Sequence, residues 1–214
     1  MRLGIDFCAI KQHPKLMSSD KPTAIVYIDG LSLFYRRLKG KNHLKWLDLE
    51  KLASLQFPEF EIKKVKYFTA IAKQLHGDME IAIRQKIYLR ALESVSFDLE
   101  IHQGYIRIDS VKLPKAPREL DSAGNLIIGR VYRLEEKETD VRIAMSITKD
   151  FLTNAATNYI LISGDTDFEP LRELFVDSPN IFQRISPNTL GELILKSSQL
   201  PETQSLQKPR SWLT

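Results

Sequence analysis

Two stretches of the chain are apolar without a break and each stops at an aspartate. Residues 23–28, TAIVYI, run into Asp29 and Gly30, and residues 158–162, NYILI, run into Ser163, Gly164 and Asp165. Short apolar runs bounded by turn residues mark strands buried on both faces. Between and around them the hydrophobic period changes from two to about 3.6 and back. Residues 31–38 carry helical spacing, and 46–55 predict a second short helix with Asp48 as its N-cap. Residues 61–71 are β-rich. Residues 78–94 predict an amphipathic helix capped by Asp78, with Ile81, residues 85–88 and Leu92 on one stripe. A strand follows at 97–106. Residues 138–155 predict another helix, with Val141, Met145, Ile147 or Thr148, and Leu152 turned inward. A helix opens at 165–175, and a last strand and helix are expected at 180–185 and 189–198.

Strands that alternate with helices imply an α/β fold: a roughly five-stranded parallel sheet with helices on both faces. One segment breaks the rhythm. Residues 107–134 contain Pro114, Pro117, the turn-like SAGN at 122–125 and a β-like far arm. They predict an inserted loop or hairpin whose far arm pairs with the 97–106 strand. The expected organisation is an N-terminal extension at 1–22, a domain at 23–199 holding this insertion, and a polar tail at 200–214.

Composition narrows the class. With 43% hydrophobic and 27% charged residues the chain has material for a full core. No apolar run reaches the roughly 18–20 residues of a membrane span, and the first ten residues, broken by Asp6, do not form a secretory signal. A single cysteine excludes an internal disulfide framework and a cysteine-rich zinc site, and fits a cytoplasmic location. The net charge of +4 permits a polyanionic partner. The basic residues cluster in two places. Arg36, Arg37, Lys39, Lys41 and Lys45 follow the first strand, among Tyr35, His43 and Trp46, and are positioned to track a phosphate backbone. Arg107, Lys112, Lys115, Arg118, Arg130 and Arg133 lie in the insertion.

The candidate chemistry is acidic. In an open parallel sheet ligands bind beyond the carboxyl ends of the strands. Asp29 and Asp165 both leave strands there, Asp167 follows two residues later, and Asp140 falls in the first turn of a helix. Carboxylates gathered in one crevice repel one another unless a cation intervenes. Oxygen-only ligation, with no histidine or cysteine in these motifs, selects Mg²⁺ or Mn²⁺, ions that act on phosphoryl oxygens and on bound water.

The stretches IDGLSLFY (28–35), EKETDVRIAM (136–145) and LISGDTDFEPL (161–171) resemble the motifs of the NYN family, whose members are PIN-like metal-dependent ribonucleases; the bacterial LabA-like group is the nearest in flavour. The resemblance runs from about residue 23 to 198 and covers the 107–134 insertion poorly. It implies a PIN-like sheet and an acidic pocket holding one or two divalent ions. Asp29, Asp140, Asp165 and Asp167 fall on the family's carboxylate positions, where they hold metal and orient a water. Ser32 stands where the family usually has Asn, and as a shorter group it offers one donor instead of two. Lys137 and Thr166 are further candidates for contact with substrate phosphate, together with Ser32, Arg36, Arg37 and Lys39.

The expected function is therefore a metal-dependent endoribonuclease acting on RNA, with single-stranded DNA as a second candidate substrate. Two alternatives remain at this point: a non-catalytic RNA-binding or regulatory protein, and a haloacid-dehalogenase-like phosphatase. The second lacks the paired aspartates such a phosphatase needs, because Gly30 and Leu31 follow Asp29.

Overall fold

The computed structural model describes residues 21–73, 80–96, 98–114, 116–191 and 193–197. Residues 1–20 of the expected extension, the whole expected tail at 200–214, the cap Asp78 and Lys115 lie outside the described residues. The chain forms one six-stranded sheet between two layers of helix. The strands are β1 (Thr23–Asp29), β2 (Glu61–Ala70), β3 (Leu99–Pro114), β4 (Ile128–Lys137), β5 (Asn158–Ile162) and β6 (Ile181–Ile185). Their order across the sheet is β4-β3-β2-β1-β5-β6. All neighbours run parallel except β3 and β4, which are antiparallel. The five expected parallel strands are therefore present, and the sixth is the far arm of the hairpin.

The period of two along β1 divides the core. Ala24, Val26 and Ile28 face α2 (Leu49–Gln56) and α3 (Ile81–Val95), packing against Leu49, Leu52, Leu89 and Leu92. Ile25 and Tyr27 face α4 (Thr139–Leu152), packing with Ile143 and Ile147. Asp48 caps α2 as expected, accepting the Lys51 N–H at 2.9 Å. After α1 (Gly30–Leu33) the chain passes into a π-helical stretch, Phe34–Leu38. The turn after β5 opens a 3₁₀ helix, Thr166–Phe175, rather than an α-helix. Pro170 inside it has no N–H to donate, and Asp165 caps it through the Asp167 N–H.

Two expectations about packing change. The buried residues of α4 are Thr139, Ile143, Ile147 and Asp150, whereas Val141, Met145 and Leu152 are 63%, 67% and 72% exposed. The helix turns to this phase because β2 contributes a buried lysine. Lys66 Nζ lies 2.7 Å from Asp150 Oδ2 and donates to Ser146 Oγ at 3.2 Å. Tyr27 also donates its hydroxyl to Asp150 at 2.5 Å. Burial, and then the Asp150 carboxylate, push the Tyr27 phenol far above its ordinary range.

The second change concerns the hairpin. β3 does not stop near residue 106. It continues to Pro114, and β4 pairs with Tyr105–Pro114, so the two arms meet mostly beyond the predicted strand. Most residues of this ribbon outward from Arg107 are solvent-exposed or only partly covered on either face. A burial pattern that would reveal a strand is accordingly weak there.

Candidate active site

The site begins where β1 and β5 end side by side. Asp29 is only 6% exposed. Its Oδ1 accepts the Ser32 N–H at 2.9 Å and its Oδ2 accepts the Ser163 hydroxyl at 2.7 Å. Ser163, fully buried after β5, accepts the Asp165 N–H in turn at 3.1 Å. Ser32 Oγ accepts the Gly164 N–H at 2.8 Å. Two serines thus join the two strand ends and fix the backbone on which both aspartates stand. Gly30 is required by close approach, since a Cβ there would lie 2.6 Å from the Phe68 carbonyl oxygen. Arg36 lies across Gly164 and donates to its carbonyl at 3.1 Å.

The opposite wall comes from the return of the hairpin into α4. Gly104 allows this junction to sit against β3: a Cβ would fall 2.5 Å from both the Lys137 carbonyl oxygen and Thr139 Oγ1. Glu138 makes the turn in the left-handed region, with φ 74°. The buried Thr139 donates its hydroxyl to Glu136 at 2.5 Å. Glu136 at the end of β4 and Asp140 in the first turn of α4 then line the same cleft as Asp29, Ser32, Arg36 and Asp165.

The electrostatics follow from that convergence. Burial raises the Asp29 carboxyl above its ordinary value, the Asp165 charge adds to this, and the bonds from Ser32 and Ser163 oppose it. Glu136 is raised by burial and by Asp29 and Asp140, with the Thr139 hydroxyl opposing. Asp140 still meets solvent, yet loss of hydration and then the charges of Asp29, Asp165 and Asp167 raise it too. A raised carboxyl makes the native state hold more protons than the unfolded chain just above the ordinary carboxylate range. The stability of the metal-free protein should therefore fall as pH rises through that window, and level off above the raised values. Thermal unfolding in chelator at several pH values measures this; stability that rises with pH across the window contradicts it.

The other residues singled out in the sequence are placed as follows. Thr166 lines the cleft. Asp167 stands beside it, close enough to act on Asp140 and donating its N–H to Asp165. Arg37 turns away and donates to the Gly191 carbonyl at 3.1 Å. Lys39 stands over the Tyr35 ring, 5.1 Å from its centre. Lys137 pairs with Glu135 at 2.7 Å, on the face of β4 opposite Glu136. Glu136 and Ser163 are the residues whose part in the site the sequence reading missed. Glu136 is one of three glutamates in EEKE, and only its place two residues beyond Leu134 on an extended strand distinguishes it.

The donor set of the cleft is all oxygen and anionic, the chemistry that suits a hard divalent cation. Among the described residues, however, no three His, Cys, Asp or Glu side chains are drawn close enough to hold an ion as they stand. No helix among the described residues is long and apolar enough to cross a membrane.

The NYN domain family matches residues 23–176. The 6-hydroxy-3-succinoylpyridine 3-monooxygenase HspA of Pseudomonas putida (strain DSM 28022 / S16) is 27% identical over 175 residues, covering 70% of this chain and 54% of that protein. The chain thus spans about half the length of this curated relative. A crystal structure of a protein of unknown function, VPA0982 from Vibrio parahaemolyticus RIMD 2210633, aligns with a TM-score of 0.43 and 16% identity over 86% of this chain and 93% of that one.

Proposed function

This chain belongs to the NYN domain family of PIN-like nucleases, and from that premise we propose that it is a divalent-metal-dependent endoribonuclease working at the acidic cleft. The observation that carries the reading is the convergence of Asp29, Glu136, Asp140 and Asp165 from four different elements at one sheet edge. Anions held together against their own repulsion are arranged for a cation. Mg²⁺ or Mn²⁺ held by these carboxylates, with Asp167 beside them, would polarise the scissile phosphate and lower the pKa of a water. Small rotations of exposed carboxylates such as Asp140 are enough to close the set around an ion.

The chain's own residues supply the rest. Ser32 and Ser163 hold Asp29 in one orientation, and the Asp167 N–H does the same for Asp165. Ser32 occupies its hydroxyl oxygen with Gly164, so its contribution here is to position the loop. Arg36 uses one N–H on Gly164 and keeps its positive charge at the cleft, where it suits a substrate phosphate; Thr166 lines the same side. We take the nuclease domain to be residues 23–199 and its substrate to be a cytoplasmic RNA. The oxygenase named for the curated relative finds no support in a cleft walled by carboxylates, and the chain covers only 54% of that protein.

The test is cleavage of single-stranded RNA by the purified chain with added Mn²⁺ or Mg²⁺, against a chelator control and a matched single-stranded DNA. RNA should be cut only with metal. RNA that is bound but left intact at every metal concentration would overturn the assignment in favour of a non-catalytic RNA-binding protein.

A further inference from the structure

The β3–β4 hairpin has two unlike faces. In an antiparallel pair, residues directly opposite one another share a face. On one face Glu136 is opposite Ile106, and moving outward Leu134 is opposite Ile108, Tyr132 opposite Ser110, and Arg130 opposite Lys112. Because Glu136 lines the cleft, this face is the outward continuation of the cleft wall. The other face carries Arg107, Arg133 and Lys137, and each is matched by a carboxylate: Arg107 by Asp109 at 2.6 Å, and Arg133 and Lys137 by Glu135.

The cleft-side face has no such compensation. Beyond Glu136 its strand residues include no acid, and among the described residues neither Lys112 nor Arg130 is engaged by a carboxylate. Like charges placed directly across a strand pair are destabilising, and a polyanion relieves them. Between this cationic pair and the cleft stand Tyr132, 61% exposed, and Leu134, 45% exposed. An exposed aromatic between a row of cations and an acidic cleft matches a single strand, whose unpaired bases can stack while its phosphates are neutralised. Arg130 is six positions from Glu136 along β4, roughly 20 Å at strand spacing, which is a span of a few nucleotides.

We infer that the cleft-side face of the hairpin is a ledge for the single-stranded RNA flanking the bond to be cut, with a base on Tyr132 and a phosphate between Lys112 and Arg130. The inference rests on the nuclease reading for the direction in which the strand enters the cleft; binding to the ledge is measurable without cleavage.

The experiment uses the full chain in chelator and a labelled single-stranded RNA of roughly 12 nucleotides, with affinity measured at several salt concentrations. Two double variants carry the same charge change on opposite faces, Lys112→Gln with Arg130→Gln, and Arg107→Gln with Arg133→Gln. The first should lower the log–log salt slope by about 1.4, or about 0.7 per lost contact on a single strand, and the second should leave it unchanged. Tyr132→Ala should weaken binding about tenfold. Circular dichroism confirms that each variant folds.

Equal effects of the two double variants, or none from either, would overturn the ledge. So would a Tyr132→Ala variant that changes sedimentation but not RNA affinity, because the face would then join two copies of the chain. Cleavage in Mn²⁺, scored on the same preparations, separates the two readings. RNA held on the ledge but never cut removes the nuclease and leaves the ledge; RNA cut with no difference between the faces removes the ledge alone.

Discussion

Asp29→Asn is expected to reduce metal-dependent cleavage on the order of a thousandfold or more, with the fold intact. Asn preserves the shape and much of the bonding. Its carbonyl oxygen can still accept the Ser32 N–H, and its amide can donate to Ser163 Oγ, where the wild-type carboxylate accepts. What disappears is the charge. That charge is the one the cleft holds most deeply, and burial already opposes it in the metal-free protein. The metal-free variant should therefore melt no lower than wild type at neutral pH, and the downward slope of stability with pH should flatten. Asp165→Asn should behave alike in activity, because Asn is as good a cap and keeps the bond from the Asp167 N–H. Single-turnover cleavage and thermal unfolding on the same samples decide both parts. A wild-type rate in either variant takes that carboxylate out of the mechanism.

The largest expected effect on stability lies away from the cleft. Asp150→Ala should destabilise the protein by roughly 3–5 kcal/mol, because it leaves Lys66 buried without its closest counter-charge. Glu100 at 3.5 Å retains some compensation, which favours the lower end of that range. For a chain of this size the loss corresponds to a fall in Tm of roughly 6–20 °C. Replacing the whole group with apolar residues, as in Lys66→Met with Asp150→Leu and Tyr27→Phe, should recover much of it, since no unpaired polar group is then left behind. Denaturant unfolding of both variants provides the measurement. A loss under about 1 kcal/mol in Asp150→Ala, well below the penalty for a broken buried pair, would mean that water reaches Lys66.

This pair also explains where the sequence was hard to read. The central strands were legible because apolar runs ending in Asp-Gly and Gly-Asp need no context. Once they were taken as parallel, Asp29 and Asp165 had to emerge at the same edge, and the first turn of α4 brought Asp140 to it. The phase of α4 was not legible. Its buried stripe ends in a carboxylate, and a count of apolar positions passes over Asp150 and selects Val141, Met145 and Leu152, which face solvent. The knowledge that would have corrected this, a lysine buried on β2, is itself invisible to hydrophobic periodicity. Glu136 was hidden for a related reason. The strand was expected to end at Leu134, so the glutamate two residues on was read as part of a solvated acidic run. The lysine beside it, Lys137, was read as a phosphate contact, although the pleat sends it to the other face, toward Glu135.

The hairpin's connection to the cleft through a single pleated strand imposes a parity rule on its length. Glu136 is fixed at the root, and every position outward alternates sides. Removing one residue from each arm between the root and Tyr132 would carry Tyr132, Arg130 and Lys112 to the far face while leaving Glu136 in place. Removing two from each arm would keep them on the cleft side and only shorten the reach. Odd and even deletions of nearly equal size should therefore differ more from each other than two even deletions of different size do, and chains that vary this arm without losing its cleft-side character should do so in whole pleats.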